Sequence, residues 1–119
     1  MSNFVVVISG KTCSGKTYAL NKMLQNENYT KLVTTTTRAP RDGESEGQDY
    51  HFIQSSLAEH YINNDIFLEY NVHGGQVYGL TRFELDGKLK EGKIPCVILT
   101  PNGLQPYKEM LAKRGISVL

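Results

Sequence analysis

A run of glycine, lysine and hydroxyl residues near the start of the chain has types and a spacing that suit anion binding. The run fits G-x-x-x-x-G-K-[ST] and comprises Gly10, Lys11, Thr12, Cys13, Ser14, Gly15, Lys16 and Thr17. Glycines let successive backbone N–H groups converge on phosphate oxygens, and a following helix adds the positive end of its dipole. The pattern therefore predicts that Lys16 reaches the terminal phosphates of a bound nucleotide and that the Thr17 hydroxyl binds Mg²⁺.

The neighbouring segments favour a binding loop over a glycine-rich turn that binds nothing. Residues 4–8 form a continuous, mostly β-branched run, which is typical of a strand buried on both faces. Residues 16–25 then carry apolar side chains at helical spacing. A strand before the run and a helix after it are the context that a phosphate loop requires.

The rest of the chain divides into strand and helix patterns that predict an α/β fold. In chain order we expect an extended segment 31–37, a polar loop 38–48, a strand 50–53, a helix 56–63 opened by a capping box at Ser56, a strand 66–72, a hairpin turn at Gly74 and Gly75, a returning strand at 77–78, a helix from a second capping box at Thr81 to near Gly92, a strand 94–100, a helix 105–114 and a strand from 116.

These elements predict one domain, 1–119, with a parallel sheet core flanked by helices. Residues 1–33 and 82–119 would form that P-loop core. Short antiparallel strands and one helix in the middle predict an inserted, small mixed α+β subdomain over residues 34–81.

Composition narrows the classes of function. The formal net charge is +1, so we expect no nucleic-acid partner, because such domains are usually clearly basic. No run is long enough to span a bilayer, and Cys13 and Cys96 are expected to be free thiols, so we expect a cytoplasmic protein without a membrane partner. His51, His60 and His73 lack metal-ligand spacing and are expected to be surface or structural residues.

Four further motifs give the chain a resemblance to guanylate kinases over nearly its whole length. Residues 36–44 match T-T-R-x-P-R-x-G-E, and residues 47–52 match G-x-D-Y-x-F. Residues 67–69 match F-[IL]-E, and Tyr78 with Gly79 matches the Y-G pair. Several matches in the right order are much more specific than the phosphate loop alone.

The resemblance implies a site for a nucleoside monophosphate in the inserted subdomain. Arg38, Arg41, Tyr50 and Tyr78 would hold its phosphate, and Glu44 would orient the arginines. Two forked guanidinium groups and two phenol donors suit a dianionic phosphate. Arg41 and Lys16 would be the catalytic residues. Solvated surface arginines and core or edge tyrosines are the alternatives.

The resemblance also implies residues that recognise the base. Glu69 would accept hydrogen bonds from the ring N–H and the amine of guanine, with the hydroxyl of Thr34 beside it. Leu80 stands where the family has a small hydroxyl residue, and Thr81 would compensate if the register shifted by one. Thr81 is also expected to cap its helix. A solvent-facing Glu69 is the alternative.

Two departures from the family pattern bear on catalysis. Ile98 and Thr100 stand in place of two aspartates, one of which supports Mg²⁺ and the other the acceptor. The sequence also ends before the arginine-bearing lid of the family, as if truncated. We therefore expect weak activity, or activity that needs a homodimer or another partner chain to complete the lid.

Three functions remain open on these residues. The first is an enzyme that transfers a phosphoryl group from ATP, with Mg²⁺, to GMP or dGMP. The second is a non-catalytic guanylate-kinase-like module that binds phosphopeptides or protein partners. The third is a sensor that binds GMP and turns over nothing.

Overall fold

The structure is a computed structural model, and it describes residues 4–9, 15–99 and 101–118. The side chains of Ser9, Lys16, Thr17 and residues 101–103 lie outside this description. The chain forms two compact units, one of Met1–Leu32 with Asp86–Leu119 and one of Val33–Leu85. Among the described residues, no helix is both long enough and apolar enough to cross a membrane.

The described elements alternate between strand and helix at both ends of the chain. They are β1 (Phe4–Ser9), α1 (Lys16–Leu24), β2 (Tyr29–Lys31), β3 (Thr35–Thr36), β4 (His51–Phe52), α2 (Ser55–Asn63), β5 (Phe67–His73), β6 (Gln76–Thr81), α3 (Arg82–Lys90), β7 (Ile94–Leu99), α4 (Pro101–Lys113) and β8 (Ser117–Val118).

The first unit is built on a parallel sheet with the strand order β2-β7-β1-β8. Its central strands carry fully buried side chains, Val5 on β1 and Cys96 on β7. α4 buries Tyr107, Met110 and Leu111, whose spacing places them on one face of a helix. The α/β class with a parallel sheet is therefore confirmed.

The second unit is built on a mixed sheet with the order β4-β3-β6-β5. β3 and β4 run parallel, whereas β6 runs antiparallel to both β3 and β5. Gly74 and Gly75 form the predicted turn between β5 and β6, with φ angles of 59° and 78°. Both angles lie in the left-handed region that a two-residue hairpin turn requires.

The predicted extended segment 31–37 contains parts of two different strands. The chain forms β2 in the first sheet and β3 in the second, with Leu32 and Val33 buried where it passes from one unit to the other. A β-branched pattern shows that residues favour extended backbone, but it does not show which strand they pair with.

The predicted starts of two helices are wrong. α2 begins at Ser55, because the carbonyl of Gln54 accepts the N–H groups of Leu57 and Ala58, each at 3.1 Å. Ser56 therefore lies inside the first turn and is not the cap. α4 begins at Pro101 rather than near Gln105, since proline at the first helical position lacks an N–H that would have no helical partner there.

Candidate functional site

The phosphate loop is described only at its end. Gly15 adopts φ 84° and ψ 16°, a left-handed conformation that favours glycine, and α1 begins at the next residue. Gly10 to Ser14 and the side chains of Lys16 and Thr17 lie outside the described residues. The described backbone is a strand, a glycine in positive φ and a helix N-terminus, and the binding roles of the loop residues stay predictions.

Arg38 and Glu44 form a two-pronged ion pair in the polar loop of the second unit. Arg38 Nη1 donates to Glu44 Oε1 at 2.9 Å and Arg38 Nη2 to Glu44 Oε2 at 3.0 Å. Glu44 Oε1 also accepts the backbone N–H of Arg41 at 2.8 Å. The side chains of Arg38 and Glu44 are 13% and 20% exposed, so the pair is largely enclosed.

The electrostatics of this pair keep both groups charged. The hydrogen bond from Arg38, assisted by the Arg41 N–H, lowers the pKa of Glu44 to about 2. The hydrogen bond to Glu44 raises the pKa of Arg38, and hydrogen bonds with Tyr78 and Tyr50 contribute to the same shift. Glu44 is therefore ionised throughout the physiological range, and Arg38 is held in one orientation.

Two tyrosines complete what we call the arginine–tyrosine cluster, consisting of Arg38, Glu44, Tyr50 and Tyr78. The Arg38 guanidinium carbon lies 5.1 Å from the centre of the Tyr50 ring. The rings of Tyr50 and Tyr78 meet edge to face with centroids 6.1 Å apart. A guanidinium group beside two phenol groups can donate hydrogen bonds to an oxyanion.

The other residues predicted for the acceptor site, Arg41, Thr34 and Glu69, differ in their burial and hydrogen bonds. The Arg41 side chain is exposed, and the Arg41 backbone donates to Glu44 Oε1 and accepts the Glu44 N–H. Thr34 accepts the His51 N–H at its carbonyl at 2.9 Å, and Glu69 is half-buried at an irregularity in the ladder between β5 and β6. The roles of these residues toward a nucleotide stay predictions.

Thr81 and Leu80 are both buried. The Thr81 hydroxyl accepts the Glu84 N–H at 3.2 Å, which confirms that Thr81 caps α3. Leu80, in the place of the family's hydroxyl residue, is fully buried and packs in the core. Ile98 is half-buried on β7, and Thr100 lies outside the described residues.

Sequence reasoning missed a second polar group, which we call the His51 bridge, consisting of Glu46, His51 and Glu84. His51 Nδ1 lies 2.9 Å from Glu46 Oε2, and His51 Nε2 lies 2.8 Å from Glu84 Oε1. His51 was expected to be a surface or structural histidine, and the capping-box pattern drew attention only to the helical role of Glu84. No sequence signal links these residues, because Glu84 is 33 positions away from His51.

Each carboxylate of the bridge also holds a backbone group. Glu46 Oε1 accepts the Phe52 N–H at 2.7 Å, and Glu84 Oε2 accepts the Val33 N–H at 3.0 Å. The Phe52 N–H, with His51, lowers the pKa of Glu46. Burial lowers the pKa of His51, but hydrogen bonds to Glu46 and Glu84 outweigh it, and the net pKa is raised.

Comparison with known proteins gives one consistent result. A family model described as guanylate kinase matches residues 2–114. Among curated proteins, the guanylate kinase of Fusobacterium nucleatum is 40% identical over 101 residues, which cover 83% of this chain and 54% of that protein. The guanylate kinase of Anaplasma phagocytophilum is 31% identical over 116 residues, covering 96% of this chain and 55% of that protein.

A solved structure agrees with these relatives. The crystal structure of guanylate kinase from Anaplasma phagocytophilum has a TM-score of 0.73 and 27% sequence identity, and the match covers 98% of this chain and 58% of that one. The chain spans about half the length of the curated relatives it matches. Since the family model covers nearly the whole chain, the chain belongs to the guanylate kinase family.

Proposed function

We propose that the chain transfers the terminal phosphoryl group of ATP to GMP or dGMP, giving ADP and the nucleoside diphosphate. The observation that carries this proposal is the arginine–tyrosine cluster, in which Arg38 is fixed by a two-pronged pair with Glu44 beside Tyr50 and Tyr78. Such an array suits the phosphate of a monophosphate acceptor, and it sits on the segment that resembles the acceptor site of the family.

Glu44 orients Arg38 before the acceptor binds. A guanidinium group that is already held in position loses less side-chain entropy when it takes up a phosphate. The exposed Arg41 supplies a second guanidinium group to the same phosphate, and the two phenol groups donate neutral hydrogen bonds. Glu69, with Thr34, accepts hydrogen bonds from guanine, and adenine does not offer that pair of donors.

ATP occupies the phosphate loop, 10–17, in this proposal. Gly15 in positive φ and the start of α1 at Lys16 are the backbone features that such a loop requires. Mg²⁺ fits this donor set, because α1 carries Thr17 in its first turn and a hydroxyl is a hard oxygen ligand. When bound, the ion supplies charge neutralisation, and Lys16 holds the terminal phosphates.

An acceptor phosphate oxygen attacks the terminal phosphorus in line, and the bond to the bridging oxygen breaks to release ADP. Positioning and charge neutralisation carry the catalysis, with no covalent intermediate. Because Ile98 occupies the place of a family aspartate, we expect slow turnover by this chain alone. A homodimer or a partner chain that supplies lid arginines would raise the rate.

The test is a turnover panel with purified chain, ATP, Mg²⁺ and the common nucleoside monophosphates. We expect ADP to form with GMP and dGMP, to form much less with the other monophosphates, and to be absent in Lys16→Ala. If no monophosphate gives ADP above background, the enzyme proposal is wrong.

A second candidate is a sensor that binds GMP without turnover, and the apolar Ile98 favours it. The turnover panel separates the sensor from the enzyme, because the sensor forms no ADP with any monophosphate, and calorimetry with Mg²⁺-ATP separates the enzyme from a module that binds no ATP. The sensor binds GMP with an affinity that Lys16→Ala leaves unchanged. A third candidate, a scaffold module for phosphopeptides, would show no Mg²⁺-dependent ATP binding.

A further inference from the structure

The His51 bridge lines a cleft of about 380 Å³ in the second unit. The titratable side chains in this cleft are His51 from β4, Glu46 from the loop before it, Glu84 from α3 and Tyr61 from α2. Tyr61 and the exposed ring of Phe83 form part of its apolar wall. None of these five side chains is among those implied to hold the acceptor, but Thr81, which would replace the family's base-reading hydroxyl residue, also lines the cleft.

The geometry of the bridge favours the protonated form of His51. Both ring nitrogens lie within 2.9 Å of a carboxylate oxygen. Glu46 is ionised near neutral pH, and an ionised carboxylate only accepts hydrogen bonds. A neutral imidazole carries one N–H and can satisfy only one of the two partners, so the full bridge requires the imidazolium form.

The bridge is connected to the arginine–tyrosine cluster through the backbone. Tyr50 directly precedes His51, the first residue of β4. Glu46 holds the Phe52 N–H, and the Gly47 N–H donates to the Tyr50 carbonyl at 2.8 Å. These two hydrogen bonds join the beginning and the end of the loop from Glu46 to Phe52, which carries Tyr50.

We propose that His51 is a positioning residue, which as an imidazolium ties Glu46 to Glu84, fixes Tyr50 beside Arg38 and makes acceptor binding depend on pH. The inference rests on the proposed function, because it names a control on that same acceptor site. The imidazolium links the loop to α3, whose first turn is capped by Thr81 and is fixed to Val33 through Glu84. Loss of the proton leaves one side of the bridge without its donor, and the side-chain link from α3 to the loop that carries Tyr50 is weakened.

The sign of the pH dependence follows from the raised pKa of His51. The bridge is complete below the ordinary imidazole pKa and is lost as pH rises through the higher value of the folded chain. The lowered pKa of Glu46 keeps the bridge intact down to mildly acidic pH. Acceptor affinity due to His51 is therefore highest in mildly acidic to neutral solution and falls at alkaline pH.

The test compares GMP affinity by calorimetry for the wild-type chain, His51→Gln and the matched control His73→Gln, at about pH 6 and about pH 8.5. His73 is exposed on β5 and does not line the cleft. The phosphate of GMP itself loses a proton near pH 6, which affects all three proteins alike. The quantity compared is therefore the ratio of variant Kd to wild-type Kd at each pH.

For His51→Gln we expect a ratio of about three to ten at the lower pH, which corresponds to a coupling of about half to one pKa unit, and a ratio near one at the higher pH. For His73→Gln we expect a ratio near one at both. A proton-NMR titration of the wild-type imidazole gives an independent readout: saturating GMP should raise the pKa of His51, by reciprocity of the linkage.

The outcomes separate the two proposals. A ratio for His51→Gln that is the same at both pH values, or an imidazole titration that GMP leaves unchanged, overturns the role of His51 while GMP binding stands. The NMR result decides alone if His51→Gln does not fold. Absence of GMP binding by the wild-type chain at either pH overturns the proposed function and the His51 proposal together.

Discussion

The interiors of the two units are stabilised by different kinds of interaction. Among the described residues, the buried side chains of the first unit are apolar, as in Val5, Cys96 and Leu111, apart from the phenol group of Tyr107. The second unit also has an apolar core, but all three buried polar side chains of the described chain, Thr35, Thr36 and Thr81, belong to it.

Side-chain hydrogen bonds to backbone groups are frequent in the second unit. Thr36 Oγ1 donates to the Val77 carbonyl at 2.9 Å, and the Val77 N–H donates to Thr37 Oγ1 at 3.0 Å. The arginine–tyrosine cluster and the His51 bridge add ionised groups to this set. The first unit should therefore respond mainly to changes of volume, whereas the second should also respond to pH and salt.

The largest effect is expected from a cavity in the first unit. Leu111 is fully buried on α4, so Leu111→Ala should lower the free energy of unfolding by about 2–5 kcal/mol. The loss should be similar at mildly acidic and alkaline pH, because no charge is involved. Urea unfolding at both pH values measures it, with Leu57→Ala, which truncates a leucine that is 40% exposed, as the control. A loss confined to one pH would contradict the contrast between the units.

A smaller effect is expected where the second unit is packed tightly. A Cβ at Gly79 would meet the Glu69 carbonyl oxygen at 2.6 Å and the Phe67 ring at 2.8 Å. Gly79→Ala should therefore cost about 1–3 kcal/mol, since the oxygen belongs to the paired strand and cannot move away cheaply.

The matched control for Gly79 is Gly87, which lies in α3 with open space around its missing Cβ. Gly87→Ala should stabilise the chain by about 0.4–1 kcal/mol, because it reduces the freedom of the unfolded chain without a clash. Thermal unfolding of both variants gives the comparison. Equal effects from the two substitutions would mean that β5 and β6 do not approach as closely as described.

The smallest effect on stability, and one that depends on pH, is expected at Glu44. Its pKa of about 2 lies below the ordinary value of 4.5, so its stabilisation is present above about pH 4.5 and is lost as pH falls through the folded value. The difference in the free energy of unfolding between wild type and Glu44→Gln, measured by urea unfolding, should therefore shrink as pH is lowered from about 4.5 towards 2. GMP affinity of Glu44→Gln at neutral pH should fall about tenfold, because Arg38 loses its two-pronged partner.

An ion pair in the first unit supplies the control for Glu44. Arg114 Nη2 lies 3.0 Å from Asp86 Oδ1, and both side chains are more exposed than Arg38 and Glu44. Asp86→Asn should cost less than about 1 kcal/mol and leave GMP affinity unchanged. A stability difference for Glu44→Gln that persists at the lowest pH would show that the shape of the side chain, and not its charge, is what matters.

Local signals were enough to predict the parts of the fold that depend on neighbouring residues. The strand before the phosphate loop, the helix after it, the turn at Gly74 and Gly75 and the cap at Thr81 each involve residues close together in sequence. The pairing of Arg38 with Glu44, six positions apart, was also within reach, although it came from the resemblance rather than from spacing.

Contacts between distant segments could not be predicted in the same way. The His51 bridge joins three elements that sequence spacing does not relate, and the division of residues 31–37 between two sheets depends on partners elsewhere in the chain. At Ser56 a good capping residue was present, but the carbonyl of Gln54 had already begun the helix. A favourable residue type gives only a preference, and the tertiary structure decides which candidate is used.

The hydrogen bond from the Val33 N–H to Glu84 joins the two ends of the segment that forms the second unit. A circular permutant of the second unit alone can be made because these ends are close. A short linker would run from Leu85 back to Val33, and the new termini would lie in the exposed turn at Gly74 and Gly75. Such a protein would carry the arginine–tyrosine cluster without the glycine-rich loop. It would thereby allow recognition of the monophosphate to be measured apart from any triphosphate.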